Sequence, residues 1–220
     1  MRIAQVSPFF EAVSVESEGS EARAVALLTS VLTRFGHDVT VFASGDSTVE
    51  GKLIAVAPLA LRHYPVPKRH LSEGLTFLAL EKAFSIASSF DLIHVHAGFS
   101  AFPMMRRSPL PIVATVYGGL DAPEVVMLYR EFNELALVAT SAEQVRQCPE
   151  LNWQAVIPWH LPLRQKGPIE DSRDHLLSGA MAYTTIYERI ITAHAERRGS
   201  LRPTRFLHGA RPVAAWNSAQ

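Results

Sequence analysis

Residues 91–98 read DLIHVHAG. Leu92, Ile93 and Val95 fall on both sides of an alternating chain, so neither face of the segment is left for water. A short apolar run of this kind, closed by glycine, is expected to be a strand covered on both faces, as in a parallel sheet. The pattern recurs outward from there. PIVATVYGG (111–119), LALVATS (135–141) and WQAVIP (153–158) follow it, while RIAQVSP (2–8), HDVTVFAS (37–44) and KLIAVAP (52–58) precede it. Helical periods lie between the strands. Val25, Leu28, Leu32 and Phe35 make one stripe, with Gly36 as its stop, and Leu75, Leu78, Phe84 and Ala87 make another. Strands that alternate with helices predict an α/β fold. The expectation is a single Rossmann-like, doubly wound, mostly parallel sheet of about seven strands with helices on both faces, spanning residues 1–162.

Beyond Pro162 the texture changes. Residues 163–171 read as a polar linker, and 172–197 as a long amphipathic helix. Its stripe is Leu176, Leu177, Ala180, Tyr183, Tyr187, Ile190, Ile191 and His194, an apolar face that has to bury against something. Residues 198–220 read as a loosely ordered, arginine-rich tail.

Composition excludes several classes. Apolar residues form 48% of the 220 and charged residues 19%, which suits a packed core and not global disorder. Lys plus Arg and Asp plus Glu each number 21, so the basic surplus of a nucleic-acid binder is missing. The single cysteine, Cys148, allows no internal disulfide framework and suits a reducing compartment. No run approaches the ~18 apolar residues of a membrane span. A soluble, cytoplasmic protein without nucleic-acid partners is expected.

Ligands of a doubly wound sheet bind where loops leave the carboxyl ends of the strands. Four places follow from that rule. Gly19 and Ser20 lead into the first helix, where free backbone N–H groups suit a phosphate; a flexible loop with an ordinary N-cap is the alternative. His94 and His96 share one strand face. No third ligand with metal spacing accompanies them, so packing at the strand end is favoured over a metal site. Gly118 and Gly119 let backbone approach a ligand beside Tyr117, which either stacks on a sugar or base or fills the core. The hydroxyls of Thr140 and Ser141 reach toward the same cleft, unless Ser141 serves as a helix cap. There is no G-x-S-x-G elbow for a hydrolase serine.

The order of these segments resembles the N-terminal domain of GT-B-fold glycosyltransferases of the family 4 type. The opening strand, the glycine loop, the first helix and GHDVTVFASGDS (36–47) are similar to that family's start. FDLIHVHAGFSAFPMMRR with PIVATVYGGLD resembles its central strands, and LYREFNELALVATSAEQ with NWQAVIPWHLP resembles its closing segment. The resemblance implies a sugar or glycolipid acceptor on this domain and a nucleotide sugar as donor, bound mainly by a second domain. No separate cofactor and no metal are expected. It also sets Gly19 and Ser20 toward the donor diphosphate, puts Tyr117 where the family commonly has histidine, and puts Ser141 in the loop after the sixth strand. His96, Gly118 and Gly119 line the same expected cleft.

The departures shape the functional expectation. The donor domain, with its basic clamp for the diphosphate, is not found after Pro162. Glu73 and Glu81 match the spacing of that domain's glutamate pair but read as a solvated helical face. MAYTTIYERIITAHAERR (181–198) resembles the family's terminal helix, which crosses back onto the first domain. The expected protein is thus an acceptor-side half, weak or inactive alone, completed by a homodimer or a separate donor-domain partner. A non-catalytic sugar- or nucleotide-binding module is the alternative, and an enzyme of another doubly wound class, such as an epimerase, a third.

Overall fold

A computed structural model describes residues 1–64, 69–158 and 169–200, with side chains for 1–64, 71–158 and 174–197. Seven strands form one sheet: β1 (Arg2–Val6), β2 (Asp38–Ser44), β3 (Lys52–Ala57), β4 (Leu92–Val95), β5 (Ile112–Val116), β6 (Ala136–Ala139) and β7 (Trp153–Val156). Their order across the sheet is β3-β2-β1-β4-β5-β6-β7. Every neighbouring pair is parallel, so the sheet is wholly and not mostly so. Central β4 is buried on both faces, as its unbroken apolar run requires.

The helices are α1 (Ser20–Arg34), α2 (Arg69–Ser85), α3 (Phe102–Met105), α4 (Pro123–Glu131), α5 (Ala142–Gln147) and α6 (Ile169–Ser200). Right-handed crossovers decide which face each one covers. The step from β1 to β2 runs one way across the sheet. The return from β3 to β4, and every step on to β7, runs the other way. Accordingly α1 lies on one face, where Val25, Leu28 and Leu32 pack on Ile3, Val39 and Val41. Ala79 and Leu80 of α2, Phe102 and Met105 of α3, Tyr129 of α4 and Cys148 after α5 fill the opposite face.

That topology leaves the α1 face of β4 through β7 with no helix from the strand–helix alternation. α6 covers it. Ala180, Tyr183, Ile186, Tyr187 and Ile190 join the core that contains Leu92, Val113 and Val138, and α6 also packs along α1. The helix begins at Ile169 rather than 172. Most of the expected 163–171 linker, and the tail beyond residue 200, lie outside the described residues.

Two side chains depart from the expected stripes. Phe35 is exposed because α1 ends there: Gly36, at φ 82°, bonds to the carbonyl of Thr33, and His37 bonds to that of Leu32, which closes the helix in a Schellman turn. Leu78 is exposed because α2 presents Thr76, Ala79, Leu80 and Ala83 to the sheet. Leu75 and Phe84 of the expected stripe still pack, half-buried, against that core.

Candidate functional site

The strand order reverses between β1 and β4, and a crevice opens there at the carboxyl edge, as the rule for open parallel sheets predicts. Two adjoining cavities, of about 250 and 200 Å³, lie on either side of Pro8, Phe10 and Glu21. The first reaches Glu11, Gly19 and Ser20. The second runs between α2 and the end of β4, against Ser72, Glu73, Thr76, His96 and Gly98.

The amino end of α1 sits at the first cavity, where its free N–H groups and dipole favour an anion. The chain supplies one. The Glu11 carboxylate accepts a hydrogen bond from the Gly19 amide, and Arg62 donates to Glu11 at 3.1 Å and to Glu18 at 3.2 Å. Gly19 is ordinary in backbone, at φ −70°, so sterics and not a left-handed turn explain the residue. A Cβ there would stand 2.5 Å from Glu11 Oε2. Gly19→Ala should therefore expel the carboxylate from the helix end. The expected cost is ~1 kcal/mol, the worth of one such hydrogen bond, and Glu11→Ala should cost about the same. Loss of stability in neither variant would show the contact to be idle.

Glu21, in the first turn of α1, borders both cavities. Burial raises its carboxyl above the ordinary range, and no counter-charge among the described residues opposes that shift.

His94 and His96 project to the α1–α6 face and are both engaged. Nδ1 of His94 lies 2.7 Å from the Tyr187 hydroxyl, and its Nε2 lies 2.8 Å from Thr115 Oγ1, which in turn meets the Tyr183 hydroxyl at 2.7 Å. His96 Nδ1 lies 2.8 Å from the Tyr117 hydroxyl, and its Nε2 lies 3.1 Å from Gln5 Oε1. Desolvation lowers both imidazoles, His96 to about 3 and His94 well below its ordinary value, with the neighbouring His96 adding to the effect of burial on His94. At neutral pH both are uncharged. Among the described residues no group of three His, Cys, Asp or Glu side chains gathers as a metal site would need.

The remaining residues separate. Tyr117 stands behind His96 and packs beside the α1–α6 core, with its ring 6.0 Å from the imidazole. Gly118 and Gly119 are exposed on the same carboxyl edge, over β5, and line neither cavity. Ser141 caps α5 in a reciprocal box with Gln144. The Gln144 amide then donates to the carbonyls of Val116 and Gly118, at 3.0 and 2.7 Å, and fixes the β5 loop against the β6 loop. Gly19, Ser20 and His96 thus meet at the crevice, while Tyr117 supports it. Sequence reasoning does not reach Glu11, Phe10 or Thr76, and it gives Glu73 only a place on a helix surface. Glu11 lies eight residues before the glycine it contacts, with no periodic pattern to join them.

With this geometry in hand, comparison with known proteins is informative. Residues 22–147 match the model of Glycosyltransferase Family 4, and the chain belongs to that family. No curated protein matches the sequence. Two solved structures of sucrose-phosphate synthase from Thermosynechococcus elongatus share the fold. One is 15% identical with a TM-score of 0.54, over 86% of this chain and 99% of its own. The other is 19% identical with a TM-score of 0.52, over 80% of this chain and 52% of its own. This chain thus spans about half of the second structure. Among the described residues no helix is long and apolar enough to cross a membrane.

Proposed function

We propose that this chain is the acceptor-side lobe of a nucleotide-sugar-dependent glycosyltransferase, and that alone it transfers sugar poorly or not at all. One observation carries the reading: the anion seat at the amino end of α1, in the switch-point crevice, is filled by the chain's own Glu11. A donor diphosphate would need that seat empty and basic groups around it, because its leaving charge must be neutralised in the transition state. The cavities support the same view. The two cavities, of about 250 and 200 Å³, share Pro8, Phe10 and Glu21 and make one crevice open to solvent, as one side of a cleft would. A donor-binding domain would supply the opposite wall of that cleft.

The test is release of nucleoside diphosphate from a panel of nucleotide sugars by the purified protein, with simple sugars as acceptors. No turnover above background is expected. Robust turnover by the isolated chain would overturn the proposal. A thermal-shift screen of the same ligands tests the acceptor assignment: sugars should raise the melting temperature, and nucleotides should leave it unmoved unless Glu11 is replaced by alanine.

A further inference from the structure

The strand–helix alternation does not supply α6, and the hold of that helix on the sheet is made by side chains. Among the described residues no backbone hydrogen bond joins it to the rest of the chain. Ala180, Ile186 and Ile190 share a core with Leu92, Val113 and Val138. The polar contacts reach the centre of the sheet. The Tyr187 hydroxyl meets His94, and the Tyr183 hydroxyl meets Thr115, which also bonds His94. The seven-stranded ladder is complete without α6, so the helix can leave while the strands stay paired.

The contact is matched to an uncharged ring. His94 has no exposed surface, and the His96 ring stands 3.9 Å from it, centroid to centroid. Their four nitrogens bond to Tyr187, Thr115, Tyr117 and Gln5, and to no carboxylate. A neutral imidazole donates through one nitrogen and accepts through the other. Once charged it must donate through both, and the hydroxyl that had donated to it loses its acceptor in a buried place. The groups facing the pair do not compensate the charge. They are Tyr117 from β5, Tyr183 and Tyr187 from α6, and the carboxyls of Glu21 from α1 and Glu73 from α2, which border the cavity beside His96 and bond neither ring. Burial lowers both imidazoles, and no carboxylate raises either.

We infer that α6 is an acid-released strap: a proton taken up at His94 unseats it from the sheet as a unit, ahead of global unfolding. Once the helix lifts, His94 meets water and binds its proton at the ordinary value of about 6.5. Protonation therefore favours the open form. The seat is complete above that value and weakens as pH falls below it, as for any base buried uncharged. His96 keeps its bonds to Gln5 and Tyr117, yet it stacks on His94 and walls the second cavity, so the release is felt in the crevice. Elsewhere on α6, Glu188 faces His37, whose protonation holds the helix down. Glu188 is exposed, and the share of such a pair is small. Release of α6 needs neither sugar nor partner, so it stands or falls apart from the transferase reading.

Hydrogen–deuterium exchange of the full chain at pH about 7.5 and about 5, corrected for the intrinsic effect of pH on exchange, reads the release. At the lower pH, residues 180–190 should exchange at least ~10-fold faster than β1 and β4, with a weaker dependence on urea, because they open while the strands stay paired. Their opening should rise about 30-fold between the two pH values, the effect of one ring over about 1.5 pH units. His94→Gln cannot titrate and should hold that rise within ~3-fold. Tyr187→Phe should loosen α6 at both pH values and keep the full rise, whereas a purely structural role for His94 would leave the rise alike in both variants. An NMR titration of the histidine ring protons in the unaltered chain reads the same event without substitution, and the His94 and α6 signals should change together. Exchange of α6 and the strands at one rate with one urea dependence, a full rise in His94→Gln, or a His94 ring that titrates while α6 stays protected overturns the inference.

Discussion

Lowering the pH from about 7.5 to about 5 should reduce the unfolding free energy by roughly 3–4 kcal/mol, well before any carboxylate pair is lost. The sign follows from the two imidazoles. His96 titrates at about 3 in the folded chain and His94 also well below its ordinary value of 6.5, because both rings are desolvated. In the unfolded chain they take up protons near 6.5, so the unfolded state binds protons first. Their contribution is complete above that value and is lost progressively as pH falls toward the folded values. Each ring accounts for about 1.4 kcal/mol per pH unit below 6.5. Glu21 acts in the opposite direction, since its raised carboxyl favours the folded state as it protonates, but one partly exposed carboxyl offsets only part of two buried rings. Asp91 and Glu134 are held below the carboxylate range by Arg2 and Arg106, so their pairs fail only at lower pH. Urea unfolding at the two pH values measures the difference. His94→Gln, which cannot titrate, should remove about half of the slope. Equal stability at both pH values would show that the rings are not buried as described.

Replacement of Tyr187 by alanine should cost about 3–5 kcal/mol, in the range for a deleted buried aromatic ring. The ring is fully buried against His94 and Tyr183, and its hydroxyl is 2.7 Å from His94 Nδ1. Tyr187→Phe keeps the volume and loses the hydroxyl, so it should cost ~1–2 kcal/mol, for one buried nitrogen left without that partner. The contrast separates packing from hydrogen bonding. Hydrogen exchange should show the loss concentrated in residues 180–190, because α6 is joined to the sheet there. If the alanine variant lost under ~1 kcal/mol, α6 would not be part of the cooperative core.

Much of this arrangement is readable in the chain. The unbroken apolar runs of β4 and β5 require a sheet covered on both sides, and the alternation with helices requires parallel pairing. The α6 stripe names Ala180, Tyr183, Tyr187 and Ile190 as an inward face, and each is buried. Ile186 falls outside that stripe because it sits at its edge, one position before Tyr187, yet it too is buried. The site is less legible. Periodicity places Gly19 and Ser20 at the helix end, but which anion meets them depends on a loop, and loops carry no hydrophobic period. The amphipathic reading of α2 fails at Leu78 because hydrophobicity marks a helix face less sharply than the small residues that allow close approach to a sheet.

By itself the sequence determined the strand count, the parallel pairing and the need of a long terminal helix for an apolar partner, because periodicity reports burial directly. Only the tertiary structure decided what that partner is. Right-handed crossovers place α2 through α5 on one face, leaving β4 to β7 open on the other, and α6 closes it over a buried His–Tyr–Thr network. Tertiary structure also decided that Glu11, and not a free helix end, faces the crevice, since that contact joins residues whose proximity no local pattern encodes.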